Sequence, residues 1–484
     1  MALFDTIRAG ASGADTGFTV DRSLRFNDDD SPRINRTPSS SGNRQTWTKS
    51  FWVKRGQIMR TMLTAYYISS TDVAAIEFGD NHNLHFYDFY NGYRLYFVTS
   101  RVFRDPSAWY HIVIALDTTQ STSSNRVKIY VNGEQETSFS TETYPSQNLN
   151  VSFNQNVLEA WGTEGTNQRL HFDGYMSEIT YIDGLQLTPS SFGETNTDTG
   201  QWNPIDTSGL TYGTNGYRLQ FADNSGTSAT TLGKDTSGNG NNWTPVNFGT
   251  GDAVKDTPTN NFCTLSSIAD ARGAYGSSTI GEANLRYTGG SSNRTVASTF
   301  GISPSDTKGY YFEGRIMSGN ESNRLFFGIG LTSTNWISTD ARGANDDSWV
   351  LRNGDGAFLN NGSSANDNGA TSVGQILQIA VKGSKIWVGT NNTWHASGDP
   401  AAGSNEKYSN IADTWTPVLD LMTSNVFQFN FGQDSSFSNT VTAQGNTDAN
   451  GNGDFYYAPP TGFFAMCSAN LPDPTILLPN QYFN

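Results

Sequence analysis

Apolar side chains recur at every second position along short stretches of this chain. Between Arg126 and Gly133 the apolar residues are Val127, Ile129 and Val131, with Lys128, Tyr130 and Asn132 between them. Successive side chains of a strand point to opposite faces, so this spacing predicts a strand with one buried side. Asn132-Gly133 then supplies the two residues that tolerate the positive φ of a tight hairpin turn. The same alternation puts Phe427, Phe429 and Phe431 on one face of a later strand. Further β-branched and aromatic runs occur at 23–26, 48–53, 74–78, 84–87, 93–98, 109–117 and 172–184, and again at 309–316, 324–331, 375–381 and 385–389. No stretch of similar length repeats at the helical period. Many short strands broken by polar turns predict an all-β protein: two antiparallel β-sandwich (jelly-roll) domains in tandem.

The strand runs and the Gly/Asn-rich breaks divide the chain. Residues 1–18 read as an anchoring arm, with small residues from Ala9 to Ala14 suited to close docking on another chain. Residues 19–200 form the first sandwich and 256–470 the second. Residues 201–255 are a Gly/Asn-rich bridge expected to pack on the first sandwich. Residues 471–484 are a tail carrying Ile476, Leu477, Leu478 and Phe483 among prolines. Asn215–Phe221 nearly repeats Asn91–Phe97, which reflects a shared hairpin requirement and not a repeat architecture.

Composition narrows the class of protein. Of 484 residues, 35% are hydrophobic and only 15% charged, so Asn, Ser and Thr must cover much of the surface. The 29 Phe, 21 Tyr and 11 Trp exclude a disordered chain. A net charge of −15 repels phosphate backbones, which argues against a nucleic-acid partner. No apolar run is long enough for a membrane-spanning helix, and the first residues lack a secretory pattern, so no membrane insertion is expected. Cys263 and Cys467 are too few for a disulfide framework; two buried thiols or one bridge between the ends of the second domain both fit.

Candidate chemistry favours binding over catalysis. Glycan hydrolysis needs two carboxylates facing one bond, and Glu178 and Asp183, five apart, would fall on opposite faces of a continuous strand. No HExxH pair, nucleophile elbow or phosphate loop occurs. His82 and His85, beside Asp80 and Asp88, are a zinc candidate outweighed by solvated loop histidines. Calcium is the better metal candidate, through oxygen ligands from Asp235, Asn239 and Asn241 or from Asp173; no other cofactor is expected. Sugars bind where flat rings meet amides and carboxylates. Three segments have that composition: Asp88–Tyr93 with Tyr90, Asn91 and Tyr93; the region of Trp161; and Trp394-His395.

Residues 23–194 resemble the laminin-G-like branch of the concanavalin A-like lectin/glucanase superfamily. The carrying pieces are Trp109-Tyr-His-Ile112, Ile129-Tyr-Val-Asn-Gly133, Phe172-Asp-Gly-Tyr-Met-Ser-Glu-Ile179 and Leu185-Gln-Leu-Thr-Pro189. Residues 309–432 resemble a SPRY domain, through Tyr310-Tyr-Phe-Glu313, Phe327-Gly-Ile-Gly-Leu331, Lys385-Ile-Trp-Val388, Pro417-Val-Leu-Asp420 and Phe427–Gly432. With the arm Asp5–Gly10 and the segment Pro460–Cys467, the combination resembles virion proteins of marine tailed phages. That resemblance implies a non-enzymatic tail fibre or tail-associated adhesin, made in the host cytoplasm and carried on the particle. Its expected partners are other virion proteins through the arm and a host-surface glycan or protein through the loops, in a homo-oligomer such as a trimer. Capsid decoration or a tail connector is the structural alternative, and a glycan hydrolase the catalytic one.

Overall fold

A computed structural model describes residues 17–197, 200–268, 278–291, 294–319, 325–336, 341–365, 369–421 and 425–472. Residues 1–16 of the expected arm and 473–484 of the expected tail lie outside the described residues. Among the described residues the regular structure is strand and short 3-10 turn, with no α-helix. The chain divides into two compact units after Asn261.

In the first unit, residues 17–261, two sheets face each other. One runs Glu134–Gln135, Val127–Val131, Trp109–Asp117, Thr46–Arg55, Gly174–Asp183, Ser23–Phe26 and Ala253–Val254 in spatial order, with Tyr217–Leu219 also paired to Gly174–Asp183. The other runs Phe139–Thr143, Tyr93–Val102, Asn83–Tyr90, Asp72–Phe78, Thr61–Ser69, Glu159–Trp161, Arg33–Arg36 and Thr244–Val246. Val127, Ile129 and Val131 enter the core between them, while Tyr130 joins a satellite cluster on the opposite face. Asn132 and Gly133 hold φ of 48° and 83°, the left-handed turn their types favour. The expected bridge is part of this sandwich: Tyr217–Leu219 and Ala253–Val254 extend one sheet and Thr244–Val246 the other.

The strand Gly174–Asp183 departs from the sequence expectation. It is not continuous: its register shifts between Ser177 and Thr180, and Glu178 holds a φ of 45°. A bulge resets face parity, so counting five residues from Glu178 to Asp183 no longer tells which side each faces. Their partners separate them instead. Glu178 pairs with Arg218 at 2.9 Å, and Asp183 accepts from the backbone of Asn43 and Asn215 and from the Asn154 amide.

The second unit, residues 262–472, repeats the two-sheet plan. One sheet orders Thr279–Gly281, Arg286–Thr288, Val426–Asn430, Gly309–Ser318, Ile376–Lys382, Lys385–Thr390 and Thr393–Trp394, with Phe463–Ala465 parallel to Gly309–Ser318. The other orders Arg294–Ala297, Trp415–Leu421, Leu325–Leu331, Ser348–Arg352, Phe358–Asn360 and Ser363–Ala365. Phe427, Phe429 and Phe431 share the inner face, as their spacing predicts, and pack with Phe312 and Phe327.

Cys263 and Cys467 are both buried and unbridged. Phe262 lies opposite Cys467, while the amide of Cys263 bonds the carbonyl of Met466. Opposed residues share a side and neighbours alternate. Cys263 therefore joins the inner core with Met466, and Cys467 the outer cluster with Phe262. The thiols point to opposite faces, which rules out the single bridge left open by the sequence.

Candidate functional site

Three of the four outer sheet faces are covered by other segments of the same unit. Phe192, Leu187, Leu210 and Tyr212 pack over Val113, Ala115 and Ile182 on the first. Phe455, Phe463 and Cys467 cover Tyr311, Ala380 and Trp387 on the second. Trp336 and Ala341 cover Phe326, Val350 and Val418 on the third. The fourth, the outer face of the sheet containing Asn83–Tyr90, is covered in part: Leu170, Tyr67 and Tyr87 pack against Met62, Ala65, Val73 and Ala75, and the rings beyond Tyr87 are left partly exposed.

Alternation along Asn83–Tyr90 sends Leu84, Phe86 and Asp88 inward and leaves His85, Tyr87 and Phe89 partly exposed outside. Register places Glu77 beside His85, Tyr87 beside Tyr96 and Phe89 beside Tyr93. The rings form one array. Tyr93 and Tyr96 stack at 4.2 Å with planes 9° apart, and Tyr87 stands perpendicular to both at 5.9 and 6.1 Å. Phe89 meets Tyr93 edge-on at 5.1 Å. Tyr93 is 50% exposed, a large value for an aromatic held in a sheet.

A polar group borders the array. The buried Glu77 carboxylate takes bonds of 3.1 and 3.2 Å from the Arg60 guanidinium and lies 3.4 Å from His85 Nδ1. Burial pushes the Tyr87 phenol well above its ordinary value, and the Glu77 and Glu164 carboxylates add to the shift. Burial likewise raises Tyr96. Both phenols therefore keep their protons and remain hydrogen-bond donors. Flat apolar faces ringed by phenol donors and a carboxylate suit sugar C–H groups and hydroxyls.

The sequence candidates distribute unevenly around this face. Asp88–Tyr93 is a hairpin and not a loop: Asn91 and Gly92 make its turn at φ of 51° and 146°. Tyr93 lies in the ring array. Tyr90, 52% exposed, stacks on the Arg94 guanidinium at 5.1 Å, and Asn91 is exposed at the tip. Asp88 is fully buried and salt-bridged to Arg94. Trp161 is corrected outright. It is a core residue with no exposure, packed edge-on against Phe51, and its Nε1–H donates to the Tyr217 hydroxyl. In the second unit His395 is buried, its Nε2 at 2.9 Å from the Thr390 hydroxyl, and Trp394 leans on Tyr311. Tyr87, Phe89 and Tyr96, which the structure sets beside Tyr93, are not among the sequence candidates. The available signal was the run Leu84–Tyr90, large and apolar at both parities, which demands either cover on both faces or one face left open.

The metal candidates do not assemble. Asp235 Oδ1 accepts from the amides of Arg218 and Ser237, and Oδ2 from the Ser237 hydroxyl and the Asn241 amide. Asn239 and Asn241 turn their NH₂ groups to the carbonyls of Gly213, Thr214 and Gly216. Donors fill the positions a calcium ion would need as acceptors, so this loop does not fit the ion. Asp173 is buried and accepts from the Gln57 amide. His85 lies beside Glu77, and among the described residues no three or more His, Cys, Asp or Glu are grouped to hold a metal.

Among the described residues one serine–histidine pair stands at hydrogen-bond distance, and its wiring runs against catalysis. His111 Nε2 lies 2.8 Å from Ser50 Oγ, and Trp202 Nε1 lies 2.8 Å from His111 Nδ1. Indole N–H only donates, so Nδ1 is the acceptor and the ring proton sits on Nε2, facing serine. A general base needs the opposite tautomer. The ring is sandwiched between Trp52 and Trp202, and burial lowers its pKa to about 3.

Residues 28–191 match the Concanavalin A-like lectin/glucanases superfamily. No curated protein matches the chain. Among solved structures, the SPRY domain of human HERC1 is 15% identical with a TM-score of 0.25, covering 30% of this chain and 87% of its own. A heptameric SAP-like pentraxin from Limulus polyphemus is 14% identical with a TM-score of 0.27, covering 36% of this chain and 80% of its own. A protein from Bacteroides ovatus described as carbohydrate binding is 14% identical with a TM-score of 0.30, covering 47% of this chain and 58% of its own.

Proposed function

We propose that this chain is a non-enzymatic binding protein that takes host-surface glycan on the tyrosine face of its first sandwich. The observation that carries the reading is the partly exposed end of this outer sheet face, where Tyr87, Phe89, Tyr93 and Tyr96 form one ring array beside Glu77 and Arg60. The match of residues 28–191 to a lectin superfamily supports it. The tyrosine face and the Tyr90–Asn91–Gly92 tip are the contact surface. A role as a tail fibre or tail-associated adhesin is supported by sequence resemblance alone. In that setting single contacts are weak, and repeated copies on a particle raise avidity.

A glycan array on the purified chain tests the reading, followed by titration of the best hit against Tyr93→Ala. We expect roughly tenfold weaker binding, equivalent to about 1.4 kcal/mol. Silence across the array, or binding indifferent to Tyr93 and Tyr87, overturns it.

A further inference from the structure

We propose that Lys49 and Glu159 condense into an intramolecular amide (isopeptide) bond that ties the two sheets of the first sandwich together. Lys49 projects inward from the strand Thr46–Arg55 of one sheet, and Glu159 inward from Glu159–Trp161 of the other. The amine has no exposed surface, the carboxylate almost none, and Lys49 Nζ bonds Glu159 Oε1 directly. Around them stand Tyr66, Phe153, Trp161, Tyr181 and Tyr217, with ring centroids 4.7–6.0 Å from Nζ.

The chain's other buried lysine makes the contrast. Lys54 Nζ has two acceptors at 2.7 Å, Asp256 Oδ2 and Asn261 Oδ1. Lys49 has Glu159 as its hydrogen-bond acceptor and aromatic faces elsewhere. The Glu159 carboxylate also accepts from Thr64 and Tyr66, so the hydrogen bonds gather on the carboxylate, while the desolvated Lys49 amine donates to Glu159 and otherwise faces rings. Burial lowers the Lys49 pKa and so favours the neutral amine.

The rest of the site supplies the chemistry. Proton transfer from Lys49 to Glu159 leaves a neutral amine and a carboxylic acid. The Nζ lone pair attacks Cδ, and the displaced electron pair moves onto Oε2, where the Tyr66 hydroxyl, at 2.5 Å, is placed to stabilise it. Burial keeps that phenol protonated. Oε1, which accepts from the Thr64 hydroxyl at 2.9 Å, departs as water with protons from the nitrogen. One C–N bond forms, one C–O bond breaks and one water leaves, so no oxidant or reductant is needed. The bond gives a sandwich without a disulfide its covalent link between sheets. It is independent of what the tyrosine face binds.

Intact-mass measurement of the full chain, with a tryptic map, tests this. The wild-type chain should be one water lighter than its sequence, with no cleavage after Lys49 and one branched peptide joining Lys49 to Glu159. Lys49→Arg should restore the full mass, and Tyr66→Phe should leave a mixture of joined and unjoined chains. A wild-type chain of full mass, or a water loss that persists in Lys49→Arg, overturns the proposal. If Lys49→Arg does not fold, the wild-type map decides alone.

Discussion

Both sandwiches bury a titratable group on an outer sheet face beneath a later segment, but of opposite sign. In the first it is His111, held neutral between Trp52 and Trp202. In the second it is Glu313, whose oxygens accept from the Tyr456 and Tyr457 amides, the Tyr311 hydroxyl and the Asn430 amide. Burial drives both toward the uncharged form: His111 falls to about 3, and Glu313 rises to about 7 despite its hydrogen bonds. The covering segment selects the chemistry beneath it. Trp202 offers one N–H, which suits a neutral imidazole nitrogen, while two backbone amides suit a carboxyl group. The same plan thus yields two buried groups whose contributions to stability respond to pH in opposite directions.

The largest expected effect lies in the first sandwich. An unfolded histidine titrates at its ordinary 6.5 and buried His111 at about 3, so the unfolded chain binds the extra proton between those values. Stability is full above pH 6.5 and falls as pH drops toward 3, by up to about 5 kcal/mol. Denaturation melts from pH 7 to pH 4 should show the first unit's transition moving down; a flat transition breaks the comparison. The second sandwich runs the other way. Glu313 holds its proton to about pH 7 when folded and to 4.5 when unfolded. Its stabilising contribution is present below pH 4.5 and is lost as pH rises through 7, by roughly 3 kcal/mol. Glu313→Gln should flatten that slope and leave the first transition unchanged.

Smaller effects separate the surfaces. Tyr93→Ala should shift stability by less than about 0.5 kcal/mol, because the ring is half exposed, while weakening glycan binding roughly tenfold. Trp394→Ala should leave glycan binding unchanged, since that ring packs against Tyr311 in the second unit. Loss of binding in Trp394→Ala would move the site to the other sandwich.

Period-two alternation made the fold legible. Val127, Ile129 and Val131, and the three phenylalanines from 427 to 431, went where their parity sends them. Asn132-Gly133 turned as its residue types require. The candidate site was half legible: composition singles out Tyr93, but only register sets Tyr87 and Tyr96 beside one another. Trp161 is a core ring because its strand sits mid-sheet between Arg33–Arg36 and Thr61–Ser69, and nothing local to Trp161 shows that pairing.

The sequence by itself determined strand character, inward parity and the turns, because these depend on residues within a few positions of one another. Tertiary structure alone decided that the two thiols face apart and that Lys49 meets Glu159 while Lys54 meets both Asp256 and Asn261. Those outcomes rest on pairings between residues more than a hundred positions apart, such as Lys49 with Glu159 and Phe262 with Cys467, and local spacing carries no record of them.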